Sequence, residues 1–176
     1  RFVQQFPQVT LDVHFVDSEQ AHEQVLAGEL ELAFLTLPPV GDDRLNYLTM
    51  WNDPLVFVAS PFHPLAQQTQ LTLEDLIAYP SLLPAAHTYT SQITLAEFEK
   101  KGLKPKISMS NNPLESIRML VSIGLGWSVL PKTLVNQDLK QLDLNLDMQR
   151  QLGMVWHPAR IQSKAAEELI NMMQLG

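Results

Sequence analysis

The segment VTLDVHFVDSEQAHEQVLAGELELAFLTL, residues 9–37, carries two hydrophobic periods in succession. Val9, Leu11, Val13 and Phe15 alternate with Thr10, Asp12 and His14, the period of two that marks a half-buried strand over Val9–Val16. Asp17 or Ser18 then caps a helix, with Gln20 in capping-box spacing to Asp17 and Gly28 closing it about three turns later. Leu30–Leu37 is the next apolar run, stopped by Pro38 and Pro39. A strand, a helix of roughly ten residues and a second strand form a β-α-β unit, which predicts a parallel sheet.

Upstream, RFVQQFP places Phe2, Val3 and Phe6 on one helical face before Pro7 stops the turn, and reads as the tail of a helix in a fragment of a longer chain. Downstream, Leu45–Met50 is a weak strand. Pro54–Ser60, a continuous apolar run, is a strand buried on both faces. Thr72–Asp75 forms a capping box on a short helix, and Ser81–Pro84 is a short strand. A helix starts at Thr90 or Ser91 and ends before Gly102, followed by a strand over Lys106–Ser110. Asn112 as cap, Pro113 at the first helical position and Glu115 in box spacing open a further helix that runs to Gly124. Leu125–Leu130 and Leu152–Trp156 are strands, and Ser163–Met173 is a closing helix with Ala165, Ala166, Leu169 and Met172 inward. The β/α alternation recurs before and after the loop near 60–70, which predicts two α/β lobes.

The 176 residues include 12 basic and 19 acidic side chains, net charge −7, and no cysteine. That length suffices for one ordinary domain or two small lobes. The absence of cysteine excludes a disulfide scaffold, a thiolate metal site and a cysteine nucleophile, and fits a reducing cytoplasm. An acidic chain is unsuited to gripping a phosphate backbone, so any nucleic-acid contact belongs to another segment. The longest apolar stretch, Met119–Pro131, is too short to span a bilayer.

No catalytic constellation emerges. The histidines at 14, 22, 63, 87 and 157 share no metal-ligand spacing, and Leu26 stands where an HExxH helix beginning at His22 needs its second histidine. Gly124-Leu-Gly126 is half a dinucleotide fingerprint, but Val129 holds the third glycine position and the strand follows instead of preceding. Gly126-Trp-Ser128 lacks the closing glycine of a nucleophile elbow, with Leu130 in its place. The acid pairs Glu29/Glu31, Asp42/Asp43 and Glu167/Glu168 fall in turns or on helix faces, and Glu115 reads as a capping residue. The expectation is a protein that is not an enzyme and uses no cofactor or metal.

Small polar residues at helix starts just beyond apolar strand ends remain: Ser18, Thr88-Tyr89-Thr90-Ser91, and Asn111-Asn112. Such strand ends line one crevice in parallel α/β sheets, where helix N-termini favour anions. The competing reading is that each is only a cap.

Taken in order, RFVQQFPQVTLDV, VLAGELELAFL, PLVFVASPFHPLA, LTLEDL, YPSLLP, GLKPKI, ESIRMLVSIGLGWSVLP and LGMVWHPAR resemble the effector-binding domain of LysR-type transcriptional regulators over essentially the whole chain. The resemblance implies an α/β fold of two Rossmann-like lobes joined by two crossing strands, the type 2 periplasmic-binding-protein fold. Lobe I would hold 1–59 plus 153–176 and lobe II 60–152. An N-terminal winged helix-turn-helix and the first strand of lobe I would lie outside this chain. It further implies a bacterial, cytoplasmic homodimer or homotetramer that senses a small effector between its lobes and reaches promoter DNA through the absent domain. By position, the effector contacts would be Ser18, Thr36, Thr88, Tyr89, Thr90, Ser91, Asn112 and Trp127, the last as pocket wall, stacking surface or core. A solute-binding receptor of the same fold and an enzyme such as a dehydratase on this scaffold are the alternatives.

Overall fold

The computed structural model describes residues 1–110 and 113–174. In chain order the elements are α1 (Phe2–Gln5), α2 (Ser18–Ala27), β1 (Leu32–Thr36), β2 (Asn46–Ala59), α3 (Leu73–Leu76), β3 (Pro80–Leu83), α4 (Tyr89–Glu99), β4 (Lys106–Ser110), α5 (Leu114–Ser122), β5 (Ser128–Pro131), β6 (Lys140–Leu142), β7 (Met148–Trp156) and α6 (Lys164–Gln174). The chain divides into two compact units, Arg1–Trp51 with Leu152–Gly176, and Asn52–Gln151. It passes from the first to the second within β2, at 51/52, and returns within β7.

In unit 1, β1 pairs with β7 antiparallel, Leu32 opposite Trp156 and Thr36 opposite Leu152. Helix α2 covers this sheet: Ala21 and Val25 pack with Ala33, Leu35, Leu37, Leu45 and Val155. Gly28 ends α2 in the left-handed region, φ +81°, which a glycine adopts without steric cost. In α6, Ala166 and Ile170 are the buried residues, while Ala165, Leu169 and Met172 are half-buried.

Two expectations for this unit fail. Val9–Val16 has the strand pattern but forms no ladder among the described residues, and its Leu11, Val13 and Phe15 are exposed. Alternation reports which way side chains point; a strand also needs a neighbour with free N–H and C=O groups. The parallel sheet predicted from 9–37 is accordingly not formed there, because the neighbour of β1 is a strand that returns from unit 2 and runs opposite to it.

In unit 2, β2 pairs antiparallel with β5 and β6. Its residues alternate between two cores: Leu55, Phe57 and Ala59 join a cluster with Leu65, Leu73, Leu76, Phe98 and Trp127, while Val58 joins Leu82, Ile117, Val121 and Leu130. That is the two-sided burial predicted for 54–60. The two strands expected at 45–50 and 54–60 are one strand of 14 residues; Pro54 is compatible with extended backbone and does not end it. The β-α-β unit with parallel strands appears as β3-α4-β4, Pro80 opposite Lys106 and Leu83 opposite Ser110. Strand β6 has three residues and no sequence signal. Thr72 and Asp75 close the expected capping box, the Asp75 carboxylate accepting from the Thr72 N–H at 2.8 Å. The Asn112 cap lies outside the described residues, and α5 begins at Leu114.

Candidate functional site

In unit 1, the end of β1 meets the start of α2: the Ser18 hydroxyl oxygen accepts from the Thr36 N–H at 3.0 Å. Ser18 and Thr36, 18 residues apart, are therefore one local structure. Thr36 is buried. The N-terminus of α2 carries its own carboxylates, Asp17 at the cap and Glu19 in the first turn. Acidic groups there already complement the helix dipole, so this end is not an open anion seat.

In unit 2, the segment after β3 is arranged differently. Thr88 caps α4, its hydroxyl accepting from Ser91 N–H at 3.3 Å and donating to Ala85 C=O at 2.8 Å. Ser91, wholly buried, donates to Pro84 C=O at 2.7 Å. Both hydroxyls are spent on holding the turn. Thr90 is 7 % exposed. The first turn of α4 has no acidic residue, so the positive end of the helix dipole meets no carboxylate from that turn. Tyr89 beside it is half-buried.

Trp127 is core and not a pocket wall. It is wholly enclosed, and its ring N–H donates to Leu76 C=O at 2.9 Å. It stacks on Phe98 with centroids 5.6 Å apart and leans on Phe57 at 5.9 Å. A ring with both faces covered and its donor committed presents nothing to a ligand. Asn112 lies outside the described residues.

Sequence reading missed two polar constellations because their members are far apart in the chain. Arg150 Nε and Nη2 each donate to the Asp53 carboxylate at 2.8 Å, an ion pair across 97 residues with side chains 15 % and 9 % exposed. His22 Nε2 lies 2.7 Å from the Tyr47 hydroxyl, which accepts from Asp42 N–H at 2.9 Å. Burial holds His22 below its ordinary value, with the charges of Asp42 and Glu23 opposing. Arg44 donates twice to the Asp42 carboxylate and depresses its pKa far below the usual carboxylate range. Among the described residues no group of three or more His, Cys, Asp or Glu is placed to hold a metal ion, and no helix is long and apolar enough to cross a membrane.

The family model for the LysR substrate binding domain matches residues 1–175. The chain belongs to that family, and its fold is the two-lobed, type 2 periplasmic-binding-protein-like α/β fold. It is similar to the HTH-type transcriptional regulator CysB of Haemophilus influenzae, 32% identical over 152 residues that cover 81% of this chain and 45% of the relative. Among solved structures it is similar to the regulatory domain of CcmR from Synechocystis PCC6803 in complex with 2-PG, at TM-score 0.84 and 22% identity, covering 99% of this chain and 86% of that one. The effector binding domain of QuiR in complex with shikimate matches at TM-score 0.83 and 19% identity, covering 98% and 86%. The chain spans about half the length of the curated relatives it matches. Those relatives are transcriptional regulators, not enzymes.

Proposed function

We propose that this chain is the effector-sensing part of a LysR-type, DNA-binding transcriptional regulator acting in the cytoplasm. The effector is small and anionic, and its anionic group sits on the N-terminus of α4. The observation that carries this reading is the start of α4, where Thr90 is buried and the first turn has no acidic side chain. Helix N–H groups and the positive end of the dipole favour an anion there, by about 0.3–1 kcal/mol when exposed and up to about 2 when partly buried. Thr88 and Ser91 hold the turn that aims those donors; Ser18 and Thr36 serve the neutral part of the ligand, since Asp17 and Glu19 oppose a second negative charge at α2.

The response requires no covalent chemistry. An effector moves the equilibrium between two arrangements only by its differential affinity for them. In the whole regulator, a homodimer or homotetramer, that shift would reposition winged helix-turn-helix domains on promoter DNA.

Thermal unfolding against a panel of small carboxylates, phosphate esters, aromatic acids and inorganic anions tests the reading. An effector at a hundred times its Kd adds about 2.7 kcal/mol, several degrees of Tm. The expected result is a hit that Thr90→Val abolishes and Ser18→Ala only weakens. A panel in which only cations or neutral compounds stabilise the chain, or a hit indifferent to Thr90→Val, overturns it.

A further inference from the structure

In unit 1 a chain of polar contacts ties α2 to β2 and to the segment between β1 and β2. His22 lies one turn after Ser18 on α2, so the two residues share a face of the helix. Its Nε2 is 2.7 Å from the Tyr47 hydroxyl of β2, and the two rings stack with centroids 6.0 Å apart. The same hydroxyl oxygen accepts from Asp42 N–H at 2.9 Å. Arg44 donates to the Asp42 carboxylate from its backbone N–H at 2.9 Å and from its guanidinium at 2.9 and 2.6 Å. Leu37 and Leu45 fix the ends of this segment in the core of unit 1, and its polar attachment to α2 runs through the Tyr47 phenol.

These contacts assign the hydrogens. A phenol has one hydrogen to donate. With Asp42 N–H on the Tyr47 oxygen, that hydrogen goes to His22 Nε2, so the neutral ring carries its own proton on Nδ1. An imidazolium has hydrogen on both nitrogens. Nε2 then becomes a donor, and the phenol oxygen faces two donors while its own hydrogen loses its acceptor. Burial opposes the same charge and holds His22 below its ordinary 6.5. The groups facing the ring are Tyr47 of β2, Asp42 and Arg44 of the segment, and Glu23 of α2. Asp42 and Glu23 favour the imidazolium and Arg44 opposes it. The two guanidinium bonds of Arg44 offset the Asp42 charge, and Glu23 is exposed, where solvent screens it.

The segment leaves β1 directly after Thr36, whose N–H is held by the Ser18 hydroxyl. We propose that His22 is a proton-operated latch on the corner formed by Ser18 and Thr36: neutral, it holds residues 37–45 on α2 through Tyr47, and protonated, it releases them. The use of that corner by the effector rests on the function proposed above; with it, acid weakens effector binding by loosening the corner.

Amide hydrogen exchange and imidazole 15N shifts of the ligand-free chain test the latch, so that its failure and that of the effector reading are separate results. The 15N shifts show neutral His22 protonated on Nδ1. Between about pH 7.5 and about 5.5, the protection of the Asp42 and Thr36 amides, relative to the intrinsic exchange rate at each pH, falls about tenfold or more, while β1 amides bonded to β7 keep theirs. His22→Gln offers an acceptor without a proton-binding site, and both amides then stay within about twofold over that range. Tyr47→Phe leaves the Asp42 amide exposed at every pH. An Nε2–H neutral tautomer, protection of Asp42 that does not change with pH, an equal loss in His22→Gln, or a Thr36 amide indifferent to the loss at Asp42 each overturns the proposal.

Discussion

Thr88, Thr90 and Ser91 lie within four residues of one another and have different tasks. The Thr88 hydroxyl satisfies a helix N–H, and its loss in Thr88→Ala costs about 1 kcal/mol of unfolding free energy, read in urea titrations without ligand. Thr90→Val keeps the shape and leaves the bonds that hold the turn, those of Thr88 and Ser91, in place; its stability stays within about 0.5 kcal/mol of the parent. A stability loss comparable to that of Thr88→Ala would show that the Thr90 hydroxyl is structural. The Asp53–Arg150 pair gives the opposite kind of prediction. Asp53→Asn strands a nearly buried guanidinium and costs about 3–5 kcal/mol, whereas Asp53→Leu with Arg150→Met recovers most of that loss. Denaturant titrations of the single and double variants measure both.

Among the elements, β5 depends on what precedes it. A Cβ on Gly126 would lie 2.3 Å from the Pro80 carbonyl oxygen, the same oxygen that accepts from Trp127 N–H at 3.1 Å. Backbone on both sides cannot yield, so Gly126→Ala displaces Trp127 from its seat over Phe98. The cost is about 2–4 kcal/mol, with slow aromatic ring signals of unit 2 lost in NMR spectra. This element also shows what was legible in the chain. Helices with caps, such as Thr72 to Asp75 and the turn ahead of α4, were readable because their signals are local. The strand ending at Pro131 was readable for its apolar run. Residues 9–16 misled because periodicity is local and pairing is not. The same separation hid Asp53 from Arg150 and His22 from Tyr47. Of the candidate site, sequence located the helix starts, but which hydroxyl is already bonded follows from the turn geometry at Ala85 and Pro84, and Trp127 needed its packing against Phe98 to be identified as core.

For the whole molecule, pH dependence follows from the two histidines that burial holds below their ordinary value of 6.5, His22 and His63. A histidine with a depressed folded pKa binds its proton more readily when unfolded, so its contribution is fully present above 6.5 and is lost as pH falls below it. His63 Nδ1 accepts from Leu65 N–H at 3.2 Å, so protonation also removes an acceptor. Unfolding free energy is expected to be flat from pH 8 to 7 and to decline from 6.5 downward, before the carboxylates begin to titrate. His63→Asn, which keeps an acceptor and carries no charge, makes the decline shallower. A profile that rises on acidification through this range would contradict the burial account.

Trp127 has one more consequence. The chain has three tryptophans; Trp51 and Trp156 belong to unit 1, and Trp127 alone belongs to unit 2. Trp51 is 52 % exposed, while Trp127 is sealed from water. The emission of unit 2 is therefore a single blue-shifted band, shielded from aqueous quenchers. With Trp51 and Trp156 replaced by phenylalanine, the light from one indole reports when the half of the molecule containing α4 melts.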